Sequence, residues 1–483
     1  MTFPLVQAVA GPVEGADVLF DFNEAGEWLA TRTLADGWTL GAPMRLAGPG
    51  DSRTSWGLRR VEFAIAIDGD RQAGLVQQSR LSRWLLRPNG WVRFQLDALT
   101  PPVWIRMLGA DPSGLDFGTV RNDRTGGDRW MLAVSFDAEP FLYGERVTLF
   151  DDTVVNDPTV TGGMVAPLGM VPGDAPMPVS VTITQPLDVA ARLGYRLTSM
   201  PNATVAVVNI GSGDTALDVH ADATGTSAST DDIGGSRRNI AFATTPAMAD
   251  RFTVALPAPL PYGTYRIYAK LSASRATESF SVQATVSHKS LVTATTAARS
   301  IEWDAATARS WVSLGDVVHP RGGYEVDGVD LYAESTESTW ITFRAADTAT
   351  GLTSPAYGTL GVSALMVVPI HTATAGHSTI LSADPSSDWS EYESYKIVFD
   401  TDSERTIGRN PVGVGGDFRT RHDISGGWPY ATPGTASTLL VMHQVVDDIA
   451  GETYGQPDLA DATFGLAVSG HPQWLYLPNT QEA

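Results

Sequence analysis

At 483 residues the chain is too long to close around one core and is expected to form two to four domains. Hydrophobic residues reach 43%, and Gly 47 with Pro 30 suits a turn-rich β architecture better than a helical one. Lys+Arg 33 against Asp+Glu 54 leaves a net charge of −21, which argues against a nucleic-acid partner, because phosphate neutralisation needs a basic surface.

The chain has no cysteine, so disulfides do not hold its fold, in keeping with folding in a reducing cytoplasm. No window approaches 18 uncharged apolar residues, so no membrane span is expected. The opening residues MTFPLVQAVAGPVEG lack the basic and apolar regions of a secretory signal. One region departs from the acidic balance. Between Arg53 and Arg106, nine arginines outnumber the acids, among them Arg83, Arg87 and Arg93. Arg pairs bidentately with carboxylates, so this stretch could meet an acidic neighbour or carry ordinary surface ion pairs.

The first domain is expected over 1–172. Val18–Phe22 opens it as a strand, and Val61–Asp68 alternates cleanly before Gly69. Leu75, Val76, Leu81, Trp84 and Leu85 carry the best helical spacing in the chain, ended by Pro88-Asn89-Gly90. A hairpin comes next, with Val92, Phe94 and Leu96 on one face of its first arm and Val103, Ile105 and Met107 on one face of its second. From Arg129 the chain alternates through Trp130, Leu132, Val134 and Phe136, and Pro140, which cannot donate to a ladder, predicts a break before a second strand. Val165–Pro178, rich in Pro and Gly, reads as a linker or stiff crossover.

The second domain is expected over 179–370. Strands are predicted at Ser180–Thr184 and Thr204–Ile210, then a loop over Gly211–Ser236 too polar to bury. In Pro261–Leu271, Tyr265, Ile267, Ala269 and Leu271 share one face, and Arg266, Tyr268 and Lys270 the other. Gly361–Pro369 closes this part. A third piece over 371–483 holds strands at Tyr395–Asp400 and Ser437–Met442 and an aromatic closing strand at Trp474–Leu477. No fixed-period repeat is present, so a solenoid or propeller is not expected.

Several of these patterns resemble one family. The strand–AxPF–strand unit of Arg129–Val147 resembles the one closing the N-terminal domain of distal tail proteins, or minor tail proteins, of long-tailed, siphovirus-type bacteriophages. The strand Pro261–Leu271 resembles one in galactose-binding-like jelly rolls, and Gly361–Pro369 the strand that closes these jelly rolls in phage tail proteins. Gly427–Met442 is similar to a pattern near the C-terminus of phage tail components, although Thr435, Ala436 and Ser437 stand where an Asn is expected. The resemblance implies an all-β chain of β-sandwich domains, the first with one short helix, plus a jelly roll. It implies a virion component made in the host cytoplasm, which forms a ring, commonly hexameric, and joins tail tube to tip proteins. The face carrying Arg83, Arg87 and Arg93 is the expected ring contact. The jelly roll is a candidate for contact with host carbohydrate.

Catalytic and cofactor signatures are weak. Gly413-Val414-Gly415-Gly416 lacks the strand-to-helix context of a phosphate cradle. No His-Glu-x-x-His occurs, and His371 and His377, the closest histidines, read as a loop pair. Asp151-Asp152, Asp231-Asp232, Asp400/Asp402 and Asp447-Asp448 are carboxylate pairs of the kind chance supplies in an acidic chain; glycoside hydrolysis would need one pair facing across a cleft. Asp400-Thr401-Asp402 and Asp68-Gly69-Asp70 could contribute oxygens to calcium but lack the acid count of a known loop. No Gly-x-Ser-x-Gly elbow is present. The expectation is therefore a non-enzyme without cofactor. Trp303, Trp311, Tyr324, Tyr332 and Trp340 are the candidate sugar-stacking rings, with filling of a sandwich core as the plainer reading. Two further readings are a free carbohydrate-binding protein and a glycan-degrading β-enzyme.

Overall fold

The computed structural model describes residues 5–21, 39–40, 45–46, 55–68, 72, 75–76, 79–80, 82–83, 90–109, 116–121, 128–155, 163–184, 193–201, 206–211, 217–228, 235–242, 247–273, 278–288, 291–303, 309–319, 325–326, 329–330, 339–348, 358–372, 376–385, 396–402, 404–409, 418–419, 422–445, 463–475 and 477–478. Regular structure among them is strand, apart from helical residues between 72 and 83, a 3-10 turn at Ala221–Ala223 and the 3-10 residue Gly235. The protein is an all-β chain of antiparallel sheets. No helix among the described residues is long and apolar enough to cross a membrane.

The first sheet runs Val18–Asp21, Leu5–Val9, Trp91–Gln95, Val103–Gly109, Asp128–Tyr143, Arg59–Asp68, Thr39–Leu40. The predicted strands and hairpin are present, with Val92, Phe94, Val103, Ile105 and Met107 buried on one side. The expected break at Pro140 is instead a bulge inside one strand, Asp128–Tyr143. Pairing with Val103–Gly109 slips between Ala138 and Leu142, and the ladder to Arg59–Asp68 stops at Ala138. Pro140 thus sits where no N–H is asked for, so the backbone stays extended while the ladder is interrupted. The bulge frees the Pro140 carbonyl to accept from Arg59, whose guanidinium also donates to the Leu475 carbonyl. Just beyond, Gln473–Trp474 pairs with Leu142 and Tyr143. The aromatic segment near the C-terminus therefore finishes the first sheet.

Two sheets form the next sandwich. One runs Val147–Val155, Thr463–Gly470, Met177–Thr184, Lys396–Asp400, Arg405–Arg409, Phe418–Arg419; the other runs Gly163–Met170, Ala436–Val445, Leu193–Pro201, Thr379–Pro385, His422–Gly426. Met177, Val179, Val181 and Ile183 alternate inward against Leu197, Val441 and Phe464, and the Tyr195 ring meets Phe399 edge-on at 5.7 Å. The expected linker at 165–178 is largely the strand Gly163–Met170. Its Pro167 is tolerated because this is an edge strand, and a bulge at Pro167–Gly169, with Gly169 at φ +66°, absorbs the extra residue. A boundary near 172 would cut between two strands of this sandwich, and a boundary at 371 would separate its halves.

The remaining segment, residues 206–372, is inserted between Leu193–Pro201 and Thr379–Pro385 and forms its own sandwich. One sheet contains Gly225–Ala228, Ser236–Ala241, Thr359–Thr372, Gly263–Ala273 and Arg309–His319; the other contains Leu217–Val219, Ala249–Ala255, Thr339–Asp347, Glu278–His288 and Leu291–Thr295. The polar stretch 211–236, expected as a loop too polar to bury, instead supplies the strands Leu217–Val219 and Gly225–Ala228 and the 3-10 turn, with Ala223 buried and Leu217 and Val219 packed on the core. Phe252 and Phe343 stack at 5.1 Å in the core. Tyr265, Ile267, Ala269 and Leu271 face inward as expected. The opposite face is covered too: Tyr268, Trp311, Met366 and Val368 pack on Met200, Leu440 and Met442 of the preceding sandwich. This apolar seam fixes the insert to its host.

Arg266 and Asp316 pair side by side at 2.6 and 3.0 Å, and both remain substantially open to water. Exposed pairs of this kind contribute little. Arg266→Ala is accordingly expected to change stability by no more than about 1 kcal/mol in denaturant unfolding. A clearly larger loss would mean that the docked sandwich shields the pair from solvent.

Candidate functional site: the cleft between the first sheet and the second sandwich

A dense group of interacting titratable side chains lies where the first sheet meets the 147–201/376–470 sandwich. Arg106 comes from Val103–Gly109, Glu139 and Tyr143 from the bulged strand, Asp402 from the turn after Lys396–Asp400, and His471 from the turn after Thr463–Gly470. Arg106 Nη1 lies 3.3 Å from both Glu139 Oε1 and Asp402 Oδ2. The Tyr143 hydroxyl donates to the second oxygen of Glu139. The Arg106 guanidinium also lies over the Trp91 ring at 5.6 Å, and Trp91 meets Tyr143 edge-on at 5.1 Å. Beside them is a cavity of about 270 Å³, lined by Trp91, Arg106, Tyr143, Asp400, Asp402 and His471 among others.

The bulge explains the convergence. It takes Glu139 out of the ladder on the same strand as Tyr143, while the non-local pairing of strands brings residues 106, 402 and 471 beside them. Burial pushes the Glu139 carboxyl up, against the lowering effect of Tyr143 and Arg106. Burial likewise pushes Asp402 up, opposed by Arg106 and reinforced by Asp400. Burial holds the His471 imidazole below its ordinary value, partly offset by the Gly144 carbonyl 3.1 Å from Nδ1. Tyr143 is pushed up strongly, first by burial and then by the Glu139 charge.

This constellation is an ion-pair junction. One guanidinium nitrogen sits between the two carboxylates, where a substrate oxygen and a water would have to stand in glycoside hydrolysis. Glu139 is further occupied by Tyr143. Asp402 was visible as one of an acidic pair; Glu139, Tyr143 and His471 carried no sequence signal, because their meeting depends on strand order. Among the described residues no group of three or more His, Cys, Asp or Glu is arranged to hold a metal ion. Asp70 and Gly69 lie outside the described residues.

The candidate ring-contact residues divide. Arg83 is helical and exposed, Arg93 lies on Trp91–Gln95 with Glu14 at 3.7 Å, and Arg87 lies outside the described residues. Three of the candidate sugar-stacking rings fall among the described residues. Trp311 is 8% exposed in the seam between sandwiches. Trp340 is half-buried on the other sheet, level with Ser287, while Trp303 is level with Glu278 at the far end of the same strand, roughly 30 Å away along it. Tyr324 and Tyr332 lie outside the described residues. His371 and His377, expected in a loop, are cross-strand partners in a short hairpin.

The fold and cleft define a multi-domain all-β protein built of sandwiches. No family model matches the chain, and no curated protein does. Among solved structures it is similar to the crystal structure of the SPP1 Dit protein (gp 19.1), described as a paradigm of the hub adsorption apparatus in Gram-positive infecting phages. The two share 11% identity over 75% of this chain and 99% of that one, with a TM-score of 0.23, a superposition too loose to assign a role.

Proposed function

We propose that this chain is a structural subunit of a bacteriophage tail tip, joining the tail tube to the adsorption apparatus, and that its first sheet and helix make the contacts of a closed ring of copies. One observation carries the assembly reading. Nine of the twelve large apolar side chains exposed among the described residues fall between Val13 and Leu108, among them Val18, Leu19, Leu75, Val76 and Leu99. The two sandwiches after them expose Met170, Tyr262 and Val318, while their cores pack against themselves and each other. Apolar surface concentrated on one unit of a multi-domain chain marks an interaction surface. The tail assignment is supported by the motif resemblance in Arg129–Val147, Pro261–Leu271 and Gly427–Met442.

Two competing readings lose ground. A free carbohydrate-binding protein would need its aromatic residues together and open, and among the described residues Trp311 is covered while Trp303 and Trp340 stand at opposite ends of a strand. A glycan-degrading enzyme would need an unobstructed carboxylate pair, and Arg106 fills the gap between Glu139 and Asp402. The full-length protein is expected to give closed rings in negative-stain images and a multimeric mass at high concentration, or to be incorporated into tails assembled in its presence. A protein that stays monomeric throughout and is absent from assembled tails would overturn the proposal.

A further inference from the structure

Two neighbouring crossings of the chain join the first unit to the second sandwich. Gly144-Glu145-Arg146 leads out of Asp128–Tyr143 into Val147–Val155, and His471-Pro472 leads back from Thr463–Gly470 into Gln473–Trp474. The crossings are tied to each other. The Gly144 amide donates to the Pro472 carbonyl at 2.7 Å, His471 Nδ1 lies 3.1 Å from the Gly144 carbonyl, and Arg146 donates to Ser469 Oγ at 3.1 and 2.7 Å. Both crossings open on a glycine that packing demands: a Cβ on Gly144 would come 3.2 Å from the Trp474 indole nitrogen, and one on Gly470 would come 2.5 Å from the Pro178 carbonyl oxygen. Hinges are built from a few such residues at the ends of elements, often small ones.

The two edges of this neck are held differently. At Leu142 and Tyr143 the bulged strand has Gln473–Trp474 on one side and Val103–Gly109 on the other. On the Gln473 side the backbone stitches the units together: Asp174 and Ala175 of the sandwich donate to the Gln473 carbonyl at 3.0 and 3.2 Å, and the Leu475 amide donates to Asp174 Oδ1 at 2.5 Å. Gln473 and Trp474 are buried there. On the other side, among the described residues, the tie is the ion pair of Arg106 with Asp402, whose side chains are 20% and 39% exposed. It stands beside the cavity, to which the first unit contributes Trp91 and Tyr143 and the sandwich Ser180 and Asp400. This edge is weakly closed. Arg106 Nε is buried without a hydrogen-bond partner. Glu139 repels Asp402 across the same gap. The apolar cluster nearby, Val9, Trp104 and Tyr143 with Ala16 and Trp91, is drawn from the first unit alone, whereas the seam under the insert draws on both of its sandwiches.

We propose that the first unit is a flap, which swings about the stitched edge of the neck and opens the cavity to solvent, with the Arg106–Asp402 pair as its latch. A pair this open to water holds weakly, so closed and open forms lie close in free energy. The sandwich and its insert, locked by their apolar seam, move as one body. The exposed Val18, Leu75 and Leu99 travel with the flap, so their tilt against the two sandwiches is adjustable. The inference stands independently of the ring and tail readings.

The absence of cysteine makes the test direct. Ser180→Cys places a thiol in the cavity wall, and Thr198→Cys places one on the buried strand face beside Leu440, under the insert. Each full-length variant is treated with a small thiol reagent and with a maleimide carrying a polymer too large for the cavity. The bulky reagent reaches Ser180→Cys only in the open form, so its rate follows the open fraction. Adding Asp402→Ala should raise that rate about fivefold, and Asp402→Lys, which sets like charges face to face, should raise it further. The rate at Thr198→Cys should not change. Spin labels at the exposed positions Leu108→Cys and Arg405→Cys should move apart in Asp402→Lys, while labels at Met170→Cys and Val318→Cys keep their separation. That contrast distinguishes a swing of the first unit from general loosening. Bulky labelling of Ser180→Cys that neither Asp402 variant accelerates, an equal acceleration at Thr198→Cys, or an unchanged Leu108–Arg405 label distance would overturn the flap.

Discussion

Arg251→Met should lower the stability of the inserted sandwich by about 3–5 kcal/mol. Arg251 is 1% exposed. Its guanidinium donates to the Ala345 carbonyl at 3.0 and 2.8 Å, to the Ala247 carbonyl at 3.0 Å and to Asp222 at 3.2 Å, and lies 4.8 Å over the Phe242 ring. Burial pulls its pKa down, with Asp222 opposing, so the charge is retained against a desolvation penalty. Methionine fills much of the volume but leaves two carbonyls without donors and Asp222 without its cation. Leaving buried polar groups unpaired is what makes such losses large. Asp222→Asn keeps the carbonyl bonds and should lose only about 1 kcal/mol. Denaturant unfolding, with hydrogen exchange in Ala249–Ala255 and Thr339–Asp347 to localise the loss, measures both. If Arg251→Met unfolds with wild-type stability, the arginine does not staple these strands.

The second large effect belongs to the cleft. Arg106→Ala leaves Glu139 and Asp402 facing each other without their shared cation and is expected to lose about 2–3 kcal/mol at neutral pH, discounted for partial exposure. The pH dependence has a definite sign. Glu139 and Asp402 are raised above 4.5 and 3.8, so their favourable contribution is complete below those values and is lost as pH rises through the folded ones. Removing Arg106 raises both further, and the deficit of Arg106→Ala should therefore shrink in acid and grow toward neutrality. His471 runs the other way: its pKa is depressed, so its contribution is present above 6.5 and lost as pH falls through the folded value. Unfolding of wild type, Arg106→Ala and Arg106→Ala/Glu139→Gln at about pH 4 and about pH 7.5 separates these contributions. The double variant should recover part of the neutral-pH loss. A deficit independent of pH would mean that Arg106 acts by packing on Trp91 alone.

Much of the sheet content was legible in local pattern. Val61–Asp68 and Tyr265–Leu271 alternate, and both are strands. Pattern failed where a rule about isolated strands met a particular sheet position. Pro140 reads as a stop yet sits in a bulge; Pro167 reads as linker yet lies on an edge. Tyr268 and Lys270, on the second face of their strand, are buried, and nothing local announces the second sandwich that covers Tyr268. Strand order was not legible at all, and the cleft depends on it: Arg106, Glu139, Asp402 and His471 meet only because sheets join segments hundreds of residues apart. Leu99, between the arms of the hairpin, carried no sequence signal for its exposure.

The insertion has a consequence for biosynthesis. Residues 206–372 emerge from the ribosome as one continuous piece and can collapse as soon as they are clear. Their host sandwich cannot: Met177–Thr184 and Leu193–Pro201 must wait for Ala436–Val445 and Thr463–Gly470, and Asp128–Tyr143 waits longer still for Gln473–Trp474. The first sheet is thus completed only when Gln473–Trp474 has been made. A chain stopped before Gln473 would leave Leu142 and Tyr143 without that closing pair.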